Sequence, residues 1–106
     1  MRSDREYYNE LLDYYGDLLT RHQTDVLKDY YGEDLSMKEI ADDYQVSKAA
    51  ISDLIKRSLQ QLEEYEKKLK LLKQNEEIET LIQDMRKEDS GLLNRYADRL
   101  EKINRG

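Results

Sequence analysis

The sequence predicts an all-α protein built around a helix-turn-helix, and three features of the chain support this fold class. Proline is absent and only four of the 106 residues are glycine, so few positions interrupt a helix. Polar residues that cap helix N-termini stand before segments whose apolar residues return every three or four positions. Residues 36–58 form two such segments joined by a short turn, which is the pattern of a helix-turn-helix.

Two helices are predicted before this motif. The first begins at Ser3 or Asp4, presents one apolar stripe and ends at Tyr15. The second begins with a capping box at residues 20–23 and ends at Gly32, which is expected to adopt the left-handed backbone conformation of a C-cap. Together with the first helix of the motif, these helices are expected to form a trihelical unit.

The motif itself is predicted from residues that cap, turn and pack. A second capping box at residues 36–39 starts its first helix, Gln45 makes the turn, and Ser47 caps the second helix. Tyr44 is expected on the buried side of the first helix, and Ala50 on the buried side of the second. The fold prediction depends most on this segment.

The second helix of the motif is predicted to continue far beyond it. Apolar residues keep helical spacing to Leu72, and no residue that interrupts a helix occurs before Gln74. One long recognition helix is therefore expected over residues 48–73. The predicted organisation is a helix-turn-helix domain at 1–66 and an amphipathic C-terminal helical arm at 67–106. The arm either folds back as a hairpin or pairs with a second chain as a homodimer.

Seven of the nine tyrosines lie in the first half of the chain, which contains neither phenylalanine nor tryptophan. A tyrosine buries a large ring and keeps a hydroxyl that needs a partner or water, so tyrosines suit a small core with half-exposed walls. An aromatic patch that stacks on bases is the functional alternative. Core packing is favoured because few lysines and arginines stand beside these tyrosines.

The charge balance opposes a simple interpretation as a DNA-binding protein. The chain has a net charge of -6, and residues 1–65 carry 8 lysines and arginines against 15 aspartates and glutamates. Affinity for DNA normally depends on basic side chains placed against phosphates. The few basic residues would therefore have to be concentrated on one surface, or the motif would have to serve another partner.

Such a surface is predicted at the start of the second helix of the motif. Its exposed face would present Lys48, Ala49, Ser52, Asp53 and Lys56. The cap at Ser47 and the amides after it could hold a phosphate, Arg57 lies beside this face, and Lys38 could add a backbone contact. Asp53 would repel phosphates at this range, and the short side chains of Ala49 and Ser52 weaken the prediction of base-specific contacts.

A second candidate surface is the basic, amphipathic segment that follows the motif. Its lysines are Lys67, Lys68, Lys70 and Lys73. They could contact RNA phosphates, an acidic surface of a partner protein or a layer of lipid headgroups. The alternative is a solvated helix face whose lysines lie over apolar surface.

The residue inventory argues against an enzyme. Cysteine is absent and the only histidine, His22, lies in a predicted capping box, so neither a catalytic site nor a metal site is predicted. No glycine-rich phosphate loop occurs, and no cofactor is expected. The apolar runs are too short for a membrane span, and the first residues do not resemble a signal peptide. A cytoplasmic protein is expected.

Residues 19–69 resemble the helix-turn-helix of sigma factor region 4. The shared pattern is LT, Q, VL and YY, followed by S, EIA, VS, an AI pair and LIKR, all at matching spacing. In that family the second helix reads the promoter element upstream of the start site. The resemblance therefore implies that Lys48, Ala49, Ser52 and Lys56 face bases and phosphates, with Arg57 beside them.

A broader resemblance covers nearly the full length. A tyrosine-rich first helix ending in LLT, the sigma-like motif, and EEYEKKL before a charged helical tail are similar to the YlxM family. Those are small bacterial proteins whose genes usually neighbour the gene of the signal recognition particle GTPase. The resemblance implies a non-enzymatic, regulatory or accessory role in that targeting pathway, with the particle's RNA or GTPase as partner. A sequence-specific DNA-binding regulator of transcription is the alternative, and a purely structural module is a third.

Overall fold

The computed structural model describes residues 2–105, and helices make up most of this range. The all-α fold with a helix-turn-helix is confirmed. The chain divides into two compact units, of which the first ends at Leu69 and the second begins at Lys70. The α-helices are α1 (Asp4–Tyr15), α2 (Arg21–Leu27), α3 (Met37–Tyr44), α4 (Lys48–Leu69), α5 (Leu71–Lys87) and α6 (Gly91–Arg105).

The predicted starts of α1 and α2 are confirmed by their hydrogen bonds. The Ser3 side chain accepts a hydrogen bond from the amide of Glu6, which satisfies one of the unpaired donors at the start of α1. At α2, the Thr20 hydroxyl accepts from the Gln23 amide while the Gln23 side chain accepts from the Thr20 amide. This reciprocal pair is a capping box.

The end of the second helical segment differs from the prediction. After α2 the chain makes a turn of π-helix, Lys28–Gly32, and the left-handed residue is Asp34, with φ of 60°. The prediction that Gly32 occupies the left-handed position is therefore wrong. A long-range contact explains the difference, because the Arg5 guanidinium donates hydrogen bonds to the carbonyl oxygens of Tyr31 and Gly32. These carbonyls are satisfied without a glycine cap.

The helix-turn-helix forms as the sequence predicts. Ser36 and Glu39 make the second capping box at the start of α3. Gln45 adopts the left-handed conformation with φ of 57°, which reverses the chain after α3. The Ser47 hydroxyl oxygen then accepts a hydrogen bond from the Ala50 amide at 3.0 Å and caps α4.

The core of the first unit lies where α1, α2 and α3 pack on α4. The side chain of Ser58 is also fully buried there, and its hydroxyl donates to the Leu54 carbonyl oxygen at 2.7 Å. Burial of the apolar side chains of this core is the main contribution to the stability of the unit. The buried apolar residues of the unit are Leu11, Leu12, Tyr15, Val26, Leu27, Ile40, Ala41, Ile51, Ile55 and Leu62.

Two residues expected in this core lie at the surface instead. Tyr44 is 36% exposed, and its ring meets the ring of His22 edge-on at 5.1 Å. It is the last residue of α3, so its hydroxyl can extend to water from the rim of the core. Ala50 is exposed because the buried stripe of α4 begins at Ile51, and consecutive helical residues point in different directions.

The long helix of the motif ends earlier than the sequence predicts. α4 spans 22 residues and ends at Leu69, and Lys70 adopts the left-handed conformation with φ of 56°. The expectation of one helix over 48–73 is wrong. Lys70 separates two apolar stripes, since Leu72 is buried as part of α5. A left-handed non-glycine residue costs roughly 1–2 kcal/mol, and apolar spacing alone does not reveal it.

In the second unit α5 and α6 pack against each other as a hairpin. The Arg86 guanidinium donates to Asp98 at 2.8 Å and to Glu101 at 3.0 Å. At the other end of the hairpin, the Asn104 amide donates to side-chain oxygens of Asn75 and Glu79. Polar contacts therefore link both ends of these two helices.

Among the helices of residues 2–105, none combines the length and the apolar character that crossing a membrane would require.

Candidate nucleic-acid interface

The turn and the cap before α4 determine what the start of this helix presents. Gln45 reverses the chain and the Ser47 hydroxyl holds the Ala50 amide. The amides at the start of α4 carry the partial positive charge of a helix N-terminus, which attracts anions. Ser47 and the first residues of α4 are exposed, so a phosphate can approach this end of the helix.

The predicted contact residues of α4 share the surface opposite the buried stripe. Ile51 and Ile55 face the core, and the other side of the helix is open to solvent. The predicted residues that are exposed there are Lys48, Ala49, Ser52, Lys56 and Arg57. The structure therefore brings these side chains together on one part of the surface, which is called the α4 face below.

Asp53 lies at the centre of the α4 face, one helical turn after Ala49 and one before Arg57. Its carboxylate forms an ion pair with the Arg57 guanidinium at 3.0 Å, and the side chains of Asp53 and Arg57 are 63% and 66% exposed. This exposed ion pair contributes little to stability. The pair nevertheless lowers the charge that the α4 face offers to a ligand. The Asp53 carboxylate is neutralised by Arg57, and the Arg57 guanidinium is held by Asp53 and not by a phosphate.

The remaining cations of the α4 face are Lys48 and Lys56. Within residues 2–105, neither ammonium group has a carboxylate within ion-pairing distance. Lys38, near the start of α3, is exposed and has no such carboxylate either. Two lysines on α4 and one on α3 therefore carry the charge that phosphates could use.

The first unit also contains an acidic cluster. Partial burial raises the pKa of the Asp29 carboxyl, and the nearby carboxylates of Asp25 and Asp43 raise it further. Burial raises the pKa of the Tyr44 hydroxyl, and the negative charges of Asp29, Asp25 and Asp43 raise it further. The acidic cluster, Asp25, Asp29 and Asp43, would repel phosphates.

The lysines of the second candidate surface do not lie on one helix. Lys67 and Lys68 occupy the last turn of α4, and Lys73 lies at the start of α5. Lys70 stands between the two helices in the left-handed conformation. The sequence prediction of one continuous amphipathic segment is not what the structure contains, because the helix breaks within it.

The tyrosines of the first unit make contacts that the sequence does not identify. The Tyr8 hydroxyl donates to Glu63 at 2.9 Å, and the Tyr15 hydroxyl donates to Glu66 at 2.6 Å. Burial, with the hydrogen bond to Glu63, raises the pKa of Tyr8 to about 12. These hydroxyls connect α1 to α4 and the rings pack on other tyrosines. This arrangement favours a structural role over a platform for stacking bases.

No cluster of His, Cys, Asp or Glu side chains suited to a metal ion occurs in the described part of the chain. The α4 face offers ammonium groups, a hydroxyl and backbone amides. These groups can hold an anion through charge and hydrogen bonds.

Comparison with known proteins relates both units to one family. Residues 2–103 match the family described as "Putative helix-turn-helix protein, YlxM / p13 like". A UPF0122 protein of Shouchella clausii is 43% identical over 100 residues, covering 90% of this chain and 92% of the relative. A UPF0122 protein of Lacticaseibacillus casei is 42% identical over 113 aligned residues, covering 96% and 100%. A third, from Clostridium perfringens, is 56% identical over 63 residues, covering 59% and 56%.

Proposed function

The chain belongs to the YlxM / p13-like family of helix-turn-helix proteins, and we propose that it binds nucleic acid through the α4 face. One observation carries this proposal. The capped start of α4 presents Lys48 and Lys56 on an exposed surface, and no carboxylate within residues 2–105 pairs with either. In this proposal the protein regulates by binding and catalyses no reaction.

We propose the RNA of the signal recognition particle as the ligand, and an accessory role in protein targeting in the cytoplasm. The charge of the first unit supports RNA over duplex DNA. Residues 1–69 carry 10 lysines and arginines against 16 aspartates and glutamates, which gives little attraction to a long duplex. A folded RNA can be recognised by shape and by a few phosphate contacts, and this suits two or three lysines.

Sequence-specific binding of duplex DNA is the second candidate function. The geometry of the helix-turn-helix favours it, because the second helix of such a motif can enter a major groove with its N-terminal residues on base edges. Lys48 would contact a base edge or a phosphate, and Lys56 would contact a phosphate about two turns further along α4.

A fluorescence anisotropy titration at two salt concentrations separates these ligands. The protein is titrated against signal recognition particle RNA and, separately, against pooled genomic duplexes. Tight and salt-sensitive binding to the RNA alone supports the first proposal, whereas binding to the duplexes alone supports the second. Binding to neither contradicts both and directs attention to the GTPase of the particle.

Variants of the α4 face test the site within the same assay. Lys48→Ala and Lys56→Ala should each weaken binding and reduce the salt slope by about one for each lost phosphate contact. Lys28→Ala is the matched control, because it removes the same charge from an exposed position outside α3 and α4. Equal losses for all three variants would mean that net charge, and not the α4 face, determines binding.

The lysines of the second candidate surface are proposed to contact the same RNA or its GTPase. If these lysines form the contact instead of the α4 face, reversal of Lys67, Lys68 and Lys70 to glutamate should abolish partner capture. In that case the α4 variants should capture the partner normally. Unchanged capture by the triple variant would exclude this surface.

Pairing of two chains through the C-terminal helices is a further part of the proposal. Leu81, Leu92 and Ile103 are 51%, 53% and 75% exposed, and a partner chain would cover such apolar side chains. Sedimentation equilibrium over a range of protein concentrations measures this association. A mass equal to that of one chain throughout would contradict it.

A further inference from the structure

The outer face of α6 carries a group of side chains of which the proposed function uses only Leu92, in the pairing of two chains. Leu92, Arg95, Tyr96 and Arg99 line a shallow groove of about 290 Å³ on the second unit. Their spacing of three and four residues places them on the same side of the helix. Tyr96 is 50% exposed and Leu92 is 53% exposed. These four residues are called the α6 patch.

The charges of the α6 patch are not neutralised by neighbouring carboxylates. Asp98 and Glu101 are the acidic residues of α6, and both bind Arg86 of α5. Glu101 also binds Arg105 at 3.0 Å. Among residues 2–105, no carboxylate lies within ion-pairing distance of Arg95 or Arg99. The carboxylates of α6 thus pair with other arginines, and the patch retains two guanidinium groups outside ion pairs.

An aromatic ring lies beside one of these two guanidinium groups. The guanidinium carbon of Arg99 lies 5.9 Å from the centre of the Tyr96 ring, near the outer limit of a cation–π contact. The ring therefore has a charged neighbour on the helix surface and still exposes half of its area. Leu92 extends the apolar part of the groove by one helical turn.

This combination matches the chemistry of single-stranded nucleic acid. Unpaired bases stack on exposed aromatic rings and on arginine planes, while adjacent arginines bind the phosphates. A duplex does not offer its base faces, because they are already stacked within the helix. An acidic peptide would use the guanidinium groups but would leave the aromatic ring without a matching partner.

We propose that the α6 patch binds single-stranded RNA, with one base stacked on Tyr96 and phosphates on Arg95 and Arg99. This inference goes beyond the proposed function, which assigns no nucleic-acid contact to Arg95, Tyr96 or Arg99. It gives the second unit a binding role of its own, although the lysines, arginines and carboxylates of residues 70–106 balance at 8 of each charge.

The test uses the full chain and a short uridine oligonucleotide without secondary structure, measured by fluorescence anisotropy. Tyr96→Ala is expected to weaken binding roughly 5- to 150-fold, which is the range for loss of one base stack. Tyr96→Phe keeps the ring and is expected to bind like the original protein. Because these side chains are exposed and alanine favours helix, far-UV circular dichroism should show an unchanged fold.

The arginines are tested by their effect on salt dependence. The double variant Arg95→Ala, Arg99→Ala is expected to reduce the slope of log affinity against log salt by about 1.4, or about 0.7 for each phosphate on a single strand. Lys87→Ala is the control, since it removes an exposed charge of the same unit that is already paired with Asp84 at 3.8 Å. This control should leave the slope close to that of the original protein.

The variants of α4 separate this inference from the proposed function. Loss of oligonucleotide binding in the α6 variants, with normal binding in Lys48→Ala and Lys56→Ala, supports the α6 patch. Loss in the α4 variants alone, or no binding of the oligonucleotide by the original protein, overturns the inference and leaves the proposed function to its own titration. A change from two chains to one in the Tyr96→Ala variant, without oligonucleotide binding, would also overturn it.

Discussion

The two units of this protein are stabilised in different ways. In the first unit, three helices pack on α4 and bury a connected set of apolar side chains, ten of which are almost inaccessible to solvent. Within residues 70–105 of the second unit, only Leu72, Ile82 and Ala97 are buried to that extent. Its two helices are also joined by the hydrogen bonds of Arg86 and Asn104.

The two units also differ in net charge. The first unit is acidic, and its few cations outside ion pairs are concentrated on α3 and α4, whereas the second has equal numbers of both charges. In each unit the carboxylates that pair with arginines determine which cations stay available to a ligand. Net charge is therefore a poor guide to where an anion can bind, and local pairing is a better one.

The largest expected effect is a difference between apolar truncations in the two units. Leu62→Ala removes a fully buried side chain of α4 and should lower the free energy of unfolding by about 2–5 kcal/mol. Leu81→Ala removes a half-exposed side chain of α5 and should cost less than about 1 kcal/mol. Urea unfolding followed by far-UV circular dichroism measures both.

Equal losses of unfolding free energy in the two variants would contradict this difference between the units. A large cost for Leu81→Ala would mean that this side chain is covered in solution, as pairing of two chains would cover it. The cost would then depend on protein concentration, because association stabilises the folded state by mass action.

A smaller effect is expected from the helix caps. Ser36→Ala removes the hydroxyl that accepts a 3.1 Å hydrogen bond from the Glu39 amide at the start of α3, and it should cost about 1 kcal/mol. Ser90→Ala removes a single hydrogen bond to the Leu93 amide, 3.3 Å long, and should cost less. Ser52→Ala serves as the control, since Ser52 is exposed within α4 and alanine favours a helix interior. A loss of stability in the control would mean that the serine hydroxyl has a partner in solution.

These caps also show which parts of the fold the sequence could predict. Each capping box depends on two residues three positions apart, so the helix starts at Thr20 and Ser36 follow from local sequence. The turn at Gln45 and the cap at Ser47 are equally local. The α4 face followed from the same pattern, because the exposed positions of a helix are those that its apolar stripe leaves out.

What the sequence could not predict depends on contacts between distant residues. The π-helical turn before Asp34 is supported by Arg5, 26 and 27 residues away from its acceptors. The hydrogen bond from Tyr8 to Glu63 joins residues 55 positions apart. The left-handed Lys70 lies in a segment whose composition favours helix throughout. The pairing of Asp53 with Arg57, by contrast, has the four-residue spacing that a sequence pattern can reveal.

A pH dependence should follow from the Tyr8 hydroxyl of the first unit. Its pKa is about 12 in the folded chain against 10.0 for an ordinary tyrosine. As pH rises from 10 to 12, tyrosine therefore ionises in the unfolded chain before it ionises in the folded chain, and ionisation favours unfolding. The stabilisation by Tyr8 is fully present below pH 10 and is lost as pH approaches 12.

Tyr8→Phe isolates this effect from the titration of lysines in the same range. The difference in unfolding free energy between the original protein and this variant should shrink as pH rises above 10. Urea unfolding at several pH values provides the measurement. A difference that stays constant would show that Glu63 does not hold the Tyr8 hydroxyl in solution.

The smallest effect on stability should accompany an increase in binding. Asp53→Asn removes the carboxylate at the centre of the α4 face and breaks its 3.0 Å contact with Arg57. An exposed pair four residues apart contributes about 0.3–0.5 kcal/mol, so stability should fall only slightly. Binding should strengthen, because Arg57 is released from the ion pair and can turn to a phosphate. The salt slope should then rise by about one.

The result would sharpen the contrast between local pairing and net charge. Asp13→Asn changes the net charge of the same unit equally, at an exposed position of α1 that is outside α3 and α4. If local pairing determines where an anion binds, Asp53→Asn should raise affinity and salt slope while Asp13→Asn leaves both almost unchanged. Equal gains in the two variants would instead assign the weak attraction of the first unit to its overall acidity, and the ion pair on the α4 face would then have no specific effect on binding.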